Sequence, residues 1–298
     1  MKKNIIETFE NWNHKKLEIF TDPFPHIICD DLLPENIIED LDKHWPETNL
    51  FEYEANRTLG TLQFSERFHD LDKCDQYVWG NFFQDSLRKI IKSIFAAFSG
   101  IFVQRFDIER IGFGGLMLQQ VDNEKSAAPN WDLPPHLHYA HDPLWLFSVL
   151  LHLDNGPGTT LYKSKGAVPT PEFIGEFKWH EGVGEQIYET KEVPFRRNRL
   201  FAMLDSPLSF HGVKMVGASR RRTIRAHVAA PEELCLDLYD ITLPSWREKA
   251  RAGLINDHIK KDVEFFSSLK TIPSPIKTDV EVHYVIEEWN RSLPIAER

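Results

Sequence analysis

Residues 134–142 read Pro134-Pro135-His136-Leu137-His138-Tyr139-Ala140-His141-Asp142, which places three histidines within six positions. A second histidine segment, Ser209-Phe210-His211-Gly212-Val213, follows later in the chain, and Arg221 lies ten residues after His211. Imidazole is a ligand for iron, copper, zinc and nickel, and a guanidinium offers a planar fork to a carboxylate. If folding brings these segments together, they predict a metal site beside a carboxylate-binding site.

The residues around these segments have the pattern of strands. Residues 146–153 form a nearly continuous apolar run of strand length, and Asp154-Asn155-Gly156-Pro157-Gly158 is a turn cluster. Further short strands are predicted at 114–121, 159–162, 199–204 and 223–230. Many short strands separated by turns predict a β-barrel or sandwich. Residues 163–192 are polar and predict a loop over the site, and residues 46–75 are polar and irregular.

In this order the segments resemble the Fe(II)/2-oxoglutarate-dependent oxygenases, in particular the prolyl-4-hydroxylase-like branch. In that family, His-x-Asp on one strand and a later histidine bind iron. An arginine about ten residues beyond the later histidine binds the far carboxylate of 2-oxoglutarate. His211 and Arg221 match that spacing. The resemblance covers roughly residues 101–230, with an N-terminal echo in Pro23-Phe24-Pro25-His26. It implies a double-stranded β-helix (jelly-roll) core.

The chain is therefore expected to be mostly β with flanking helices, in one structural domain overall. Residues 1–100 are predicted to form an N-terminal helical and strand support region, and residues 101–230 the catalytic core. Apolar residues at helical spacing over 79–95 predict a support helix outside the barrel. Residues 231–298 are predicted to form a C-terminal helical cap, which is a candidate homodimer arm.

The resemblance leaves three sets of proximal iron ligands open. In the first, His136 and His138 take the family's His and Asp positions and form a three-histidine site with His211. Side chains two apart on a strand point the same way, which suits this pair. In the second, His138 is the first ligand and Ala140 replaces the carboxylate, the pattern of 2-oxoglutarate-dependent halogenases, where chloride fills the open position. In the third, Asp142 supplies the carboxylate.

A literal His-x-Asp also occurs at His152-Leu153-Asp154. We discount it as a ligand pair because it ends the apolar strand and a turn begins at once. His138 is a ligand in all three favoured sets.

The last predicted strand carries a polar stripe. Arg221, Thr223, Arg225 and His227 share one of its faces, and burying them is costly unless a ligand or a paired group meets them. By resemblance, Arg221 and Thr223 bind the distal carboxylate of 2-oxoglutarate, with Arg225 as a second candidate. His152 is predicted to touch the cosubstrate as well. Outside the stripe, positive charge near the mouth of the site would favour an anionic substrate, and the candidates are Arg196, Arg197 and Arg199.

The implied function is a non-haem iron dioxygenase that uses Fe(II), 2-oxoglutarate and O2 to hydroxylate an unactivated C–H bond. The substrate would be a small molecule, amino acid or peptide. Chlorination is the alternative under the second ligand set. One rival is a cupin-like metal-binding barrel using His136, His138, Asp142 and His211, which needs no 2-oxoglutarate and leaves the Arg221/Thr223 stripe unexplained. The other rival is a non-catalytic binding barrel that has lost its carboxylate ligand.

Composition limits the remaining classes. The 298 residues are 42% hydrophobic, enough for a substantial core. With 45 acidic against 35 basic residues the net charge is −10, which argues against tight nonspecific nucleic-acid binding. Cys29, Cys74 and Cys235 are scattered, with no Cys-x-x-Cys, which indicates a reducing, cytoplasmic setting. No apolar run reaches the ~18 residues of a membrane span, and the N-terminal sequence does not have the pattern of a signal peptide.

Overall fold

A computed structural model of the chain describes residues 17–53, 59–98, 112–122, 131–136, 145–164, 187–205, 209–215 and 220–229. Strands dominate this part of the chain and form two antiparallel sheets with a few helices outside them. The mostly-β jelly-roll prediction is confirmed. The predicted C-terminal cap, 231–298, and the residues His138, Ala140 and Asp142 lie outside the described residues.

The strands, in chain order, are β1 (Ile19–Phe20), β2 (His26–Cys29), β3 (Glu52–Tyr53), β4 (Leu59–Gln63), β5 (Gly112–Asp122), β6 (Trp131–His136), β7 (Trp145–His152), β8 (Gly156–Ser164), β9 (Ile187–Phe195), β10 (Arg199–Leu204), β11 (His211–Met215) and β12 (Arg220–Ala229). The larger sheet has the order β1-β2-β10-β7-β12-β5-β4-β3, and the smaller has the order β6-β11-β8-β9. A cluster of buried apolar side chains from both sheets fills the space between them: Phe24, Leu161, Val193, Phe201 and Met203.

Strand β7 shows why its sequence is apolar on nearly every position. It lies between β10 and β12 in the middle of the larger sheet, and both of its faces are covered, one by the helices and the other by the second sheet. Phe147, Val149 and Leu151 pack into the core that the helices cover. Ser148 and His152 alternate with them and point to the other side of the sheet, where the candidate site lies.

The helices cover the outer face of the larger sheet. They are α1 (Glu35–Lys43), α2 (Phe64–Arg67), α3 (Lys73–Asn81) and α4 (Arg88–Phe98), and a π-helical segment, Phe82–Leu87, joins α3 to α4. Asp72 caps α3, since its carboxylate accepts hydrogen bonds from the backbone N–H groups of Cys74 and Asp75. The predicted support helix over 79–95 is confirmed, and its apolar face is buried against the sheet: Phe83, Leu87, Ile90, Ile91 and Ile94.

Three strands lie where the sequence predicted irregular chain. Strand β4 pairs with β5 and β3 pairs with β4, so residues from the 46–75 region extend the larger sheet. Strand β9 pairs with β8 at the edge of the smaller sheet and includes the end of the 163–192 insertion. Tyr188, Glu189 and Thr190 are exposed on β9. An edge strand with so polar a surface lacks the apolar alternation by which strands are predicted.

Ion pairs tie the outer face of the larger sheet to α1. Arg222, on the face of β12 opposite the stripe, donates two hydrogen bonds to the Asp154 carboxylate and is ion-paired with Asp42. The arginines proposed to add positive charge near the mouth are paired in the same region. Arg196 and Arg199 bind Asp30, and Arg197 binds acids of α1. Their charge is therefore compensated by neighbouring acids.

None of the helices within the described ranges is long and apolar enough to cross a membrane.

Buried histidines predict a loss of stability in acid. Burial lowers the pKa of His26, His152 and His211 from 6.5, that of His211 to about 4. Below pH 6.5 the unfolded chain therefore binds more protons at these histidines than the folded protein does. The free energy of unfolding of the metal-free protein should therefore fall with decreasing pH, by up to about 1.4 kcal/mol per pH unit and histidine.

Denaturant unfolding between pH 7 and pH 5 measures this slope. His26→Phe should make the dependence of the unfolding free energy on pH less steep by the contribution of one histidine. The reason is that it removes a group that is protonated more readily in the unfolded chain than in the folded protein. Thr190→Ser, an exposed change on β9 that alters no titratable group, is the control and should leave the slope unchanged. An identical slope in wild type and His26→Phe would contradict the assignment.

Candidate metal and cosubstrate site

Two of the predicted metal ligands meet at one end of the barrel. Strand β6 ends at His136 and β11 begins at His211, and the register places the two residues opposite each other. Their ring centroids are 4.2 Å apart. This pairing brings together the two histidine segments that are distant in the sequence.

The imidazole of His211 is held in the state that a metal ligand needs. Its Nδ1 lies 2.9 Å from the backbone oxygen of Ser209. A carbonyl oxygen only accepts, so Nδ1 carries the hydrogen and Nε2 keeps its lone pair. Burial, opposed by the Ser209 hydrogen bond, lowers the pKa of His211 to about 4, so the ring is neutral at pH 7. Such a second hydrogen bond orients histidines that bind metals.

A cavity of about 50 Å³ adjoins the two histidines. His136 and His211 line it, together with Arg221, Thr223 and Arg225 of β12. The opposite face of β12 packs into the apolar core beneath the helices through Ile224, Ala226 and Val228. The polar stripe therefore faces the cavity, as alternation along the strand predicts.

Arg221 is a buried cation at this cavity. Its guanidinium carbon lies 3.5 Å from the ring centroid of Phe195, the last residue of β9. Burial, followed by the charge of Arg225, lowers the pKa of Arg221 to about 9, so the group remains positive at pH 7. A buried cation stacked on an aromatic face offers its in-plane N–H donors to an anion.

His152 lies beside Arg221 and is fully enclosed. Its ring centroid is 3.8 Å from that of Phe195, and its strand neighbour on β12 is Thr223. Burial and then the charge of Arg221 hold its pKa well below the usual value. Within the described part of the chain, neither ring nitrogen of His152 has a hydrogen-bond partner. Buried polar groups are normally hydrogen-bonded, so a ligand or a residue outside the described ranges is expected to complete these contacts.

The literal His-x-Asp at residues 152–154 does not converge on a metal. His152 points into the barrel, whereas the carboxylate of Asp154 is on the outside, where Arg222 binds both of its oxygens. The pair is split between the two sides of the sheet, which agrees with our discounting it.

The other candidates for the metal site, His138, Ala140 and Asp142, lie in residues 137–144, which are outside the described ranges. Among the residues that the structure describes, no group of three or more His, Cys, Asp or Glu side chains is placed to hold a metal ion. The pair His136 and His211 is what the described chain contributes, so the three ligand sets remain predictions.

Sequence reasoning missed two contributors to the cavity region. Phe195 was in no predicted strand, although it lies two residues after the buried Val193 and shares its face of β9. Asp205 directly follows β10 and is buried, and its Oδ2 accepts a hydrogen bond of 2.6 Å from Ser148 Oγ. An acidic residue directly after a predicted apolar strand is the sequence signal that could have found Asp205.

No protein-family model matches the chain, and no curated protein sequence matches it. Solved structures do match. The chain is similar to 2-oxoglutarate/Fe(II) oxygenases of known structure. One is SnoN, the non-haem α-ketoglutarate-dependent epimerase from nogalamycin biosynthesis, at 12% identity, with 69% of this chain and 78% of that chain covered and a TM-score of 0.49.

A Pseudomonas putida prolyl-4-hydroxylase is 11% identical, with 69% of this chain and 92% of that chain covered and a TM-score of 0.41. A 2OG-Fe(II) oxygenase family oxidoreductase from Burkholderia pseudomallei is 10% identical, with 68% and 84% covered and a TM-score of 0.43. At these identities and TM-scores, residue roles do not transfer from those proteins to this chain.

Proposed function

We propose that the chain is an Fe(II)/2-oxoglutarate-dependent oxygenase that hydroxylates an unactivated C–H bond of a small-molecule, amino-acid or peptide substrate. One observation carries the proposal: a single cavity has paired imidazoles, His136 and His211, at one end and the buried Arg221 further along. A metal-chelating dicarboxylate is the kind of ligand that would match both features. Neither a cupin-like barrel nor a non-catalytic barrel needs the buried cation.

The two imidazoles fit iron as neutral nitrogen donors. The 4.2 Å approach of His136 to His211 supports the ligand set in which His136 is the first ligand and His138 takes the second position. It does not favour the halogenase alternative, where Ala140 would take that second position and His136 would be a bystander. When bound, the iron with 2-oxoglutarate and O2 supplies the oxidising power that breaks the C–H bond.

The residues of the chain bind and orient the cosubstrate. Arg221 would donate two parallel hydrogen bonds to its distal carboxylate, with Phe195 holding the guanidinium plane. The hydroxyl of Thr223 and an N–H of His152 are further donors, and His152 would gain the partner that it lacks within the described chain. Leu150 and Val213 line the same cavity and help to exclude water, which strengthens these charged hydrogen bonds.

Anaerobic titration of the Fe(II) protein with 2-oxoglutarate tests the proposal, followed through the visible metal-to-ligand charge-transfer band with and without chloride. A saturable band that does not respond to chloride is the expected result. A band that shifts with chloride would support the Ala140 ligand set and chlorination. If no band forms although iron is bound, the oxygenase assignment is wrong and a cupin-like site becomes the better explanation.

A further inference from the structure

A second arginine, Arg225, faces the cavity from a position further along β12. Arg225 lies four residues after Arg221 on β12, which separates their Cα atoms by about 13 Å in an extended strand. Arg221 is at the end of the strand where Phe195 and His152 lie. Arg225 is closer to the opposite end and pairs in register with Leu150. The two residues are thus attached to β12 about 13 Å apart, on the face toward the cavity.

Arg225 is positioned next to the candidate metal ligands. Its positive charge contributes to the lowered pKa of His211, after the larger effect of burial. Arg225 is partly exposed, whereas Arg221 and Thr223 on the same face are buried.

A buried hydrogen-bond network holds a carboxylate beside Arg225. The charge of Asp205 acts on Arg225 and opposes the effect of burial on its pKa. Ser148 Oγ is 2.6 Å from Asp205 Oδ2 and 2.8 Å from His227 Nδ1. A carboxylate only accepts, so the single hydroxyl proton goes to Asp205 and His227 Nδ1 donates to Ser148. The position of the Asp205 carboxylate is therefore set from two neighbouring strands.

Arg225 faces the same cavity as the candidate iron ligands, because it lines that cavity together with His136 and His211. A guanidinium matches the geometry of a carboxylate and can bind it through two parallel hydrogen bonds. A cation on the wall of a substrate cavity therefore favours an anionic group on the substrate.

We propose that Arg225 binds a carboxylate of the substrate, at a subsite distinct from the one where Arg221 holds the cosubstrate. This inference rests on the proposed function, since it assigns 2-oxoglutarate to Arg221. Asp205, Ser148 and His227 act as positioning residues for the guanidinium. The substrate class that fits is an acid with its carboxylate close to the carbon that is oxidised, such as a free amino acid or another small carboxylic acid.

Two measurements on the full chain, loaded with Fe(II) under nitrogen, test the subsite. Calorimetry gives the affinity for 2-oxoglutarate in wild type, Arg225→Gln and Arg221→Gln. Thermal unfolding of the 2-oxoglutarate complex is then followed as sodium formate is raised, since a ligand that binds the folded state raises Tm. Formamide, the neutral analogue of formate, is the matched control ligand.

The subsite predicts that formate, but not formamide, raises Tm saturably in wild type. Arg225→Gln should need at least about tenfold more formate, the loss of one charge-assisted interaction, while 2-oxoglutarate affinity changes less than about threefold. Arg225→Lys keeps the charge and should show an intermediate formate response, which covers the case in which the glutamine variant folds poorly.

Three results would overturn the inference. In the first, formate has no effect on wild type. In the second, formate acts equally on Arg225→Gln, which places the anion on the metal or on Arg221. In the third, Arg225→Gln loses 2-oxoglutarate as severely as Arg221→Gln, which makes Arg225 part of the cosubstrate site. If wild type fails to bind 2-oxoglutarate, the proposed function fails, and the formate titration of the Fe(II) protein alone still decides whether Arg225 binds a carboxylate.

Discussion

Arg221→Gln is expected to weaken binding of 2-oxoglutarate to the Fe(II) protein by at least about a hundredfold. The variant removes a charge-assisted pair of hydrogen bonds, and each such bond contributes about 1.5–3 kcal/mol. It also leaves the distal carboxylate in a buried site beside Phe195, where water cannot replace the lost donors. Anaerobic calorimetry measures the change.

Arg220 supplies a matched control for this variant. It precedes Arg221 on β12, but it is exposed and belongs to the other face of the strand. Arg220→Gln makes the same chemical change and should leave the affinity for 2-oxoglutarate within about twofold, as surface changes usually do. Equal losses in the two variants would point to a long-range effect of charge and would remove the reason for placing the carboxylate at Arg221.

A shortened ligand separates the role of Arg221 further. 2-Oxobutanoate has the 2-oxo acid group that would meet the metal but lacks the distal carboxylate. It should bind wild type and Arg221→Gln with similar affinity, since the group that Arg221 recognises is absent. If Arg221→Gln weakens 2-oxobutanoate as much as 2-oxoglutarate, the arginine acts on the metal end of the cavity instead.

His211→Ala is expected to abolish measurable Fe(II) binding, and with it any 2-oxoglutarate turnover. Removing a partner that merely orients a ligand typically costs 10–100-fold in metal affinity, so removing a ligand itself should cost more than about a hundredfold. The loss should come from the missing Nε2 ligand. His211 is buried opposite His136, and its Nδ1 already donates a hydrogen bond to the backbone oxygen of Ser209. Equilibrium dialysis under nitrogen with metal analysis gives the affinity.

Two other histidines show whether this loss is specific. His26→Ala removes a buried histidine that packs among Phe20, Phe24 and Phe201 outside the cavity, and Fe(II) binding should persist. His136→Ala should lose iron as His211→Ala does if His136 is the first proximal ligand. Iron retained by His136→Ala would instead favour the sets in which His138 pairs with Ala140 or Asp142.

Local patterns in the sequence were sufficient for much of the architecture. The apolar run at 146–153 predicted a strand with both faces covered, and β7 is indeed in the middle of the larger sheet. Helical spacing over 79–95 predicted the support helix. Both predictions succeed because a side chain's direction follows the short period of its own strand or helix. The edge strand β9 was not predicted, because most of its side chains face solvent and its sequence therefore lacks an apolar alternation.

The sequence by itself determined the polar stripe, which follows from alternation along β12, and the ten-residue spacing of His211 and Arg221. Only the tertiary structure decided what meets the stripe. It placed His136 against His211, stacked Phe195 on Arg221, and put Asp205 beside Arg225. The reason is physical: these contacts cross between strands that are distant in the chain, and their register depends on how the sheets pair and pack, which no local period contains.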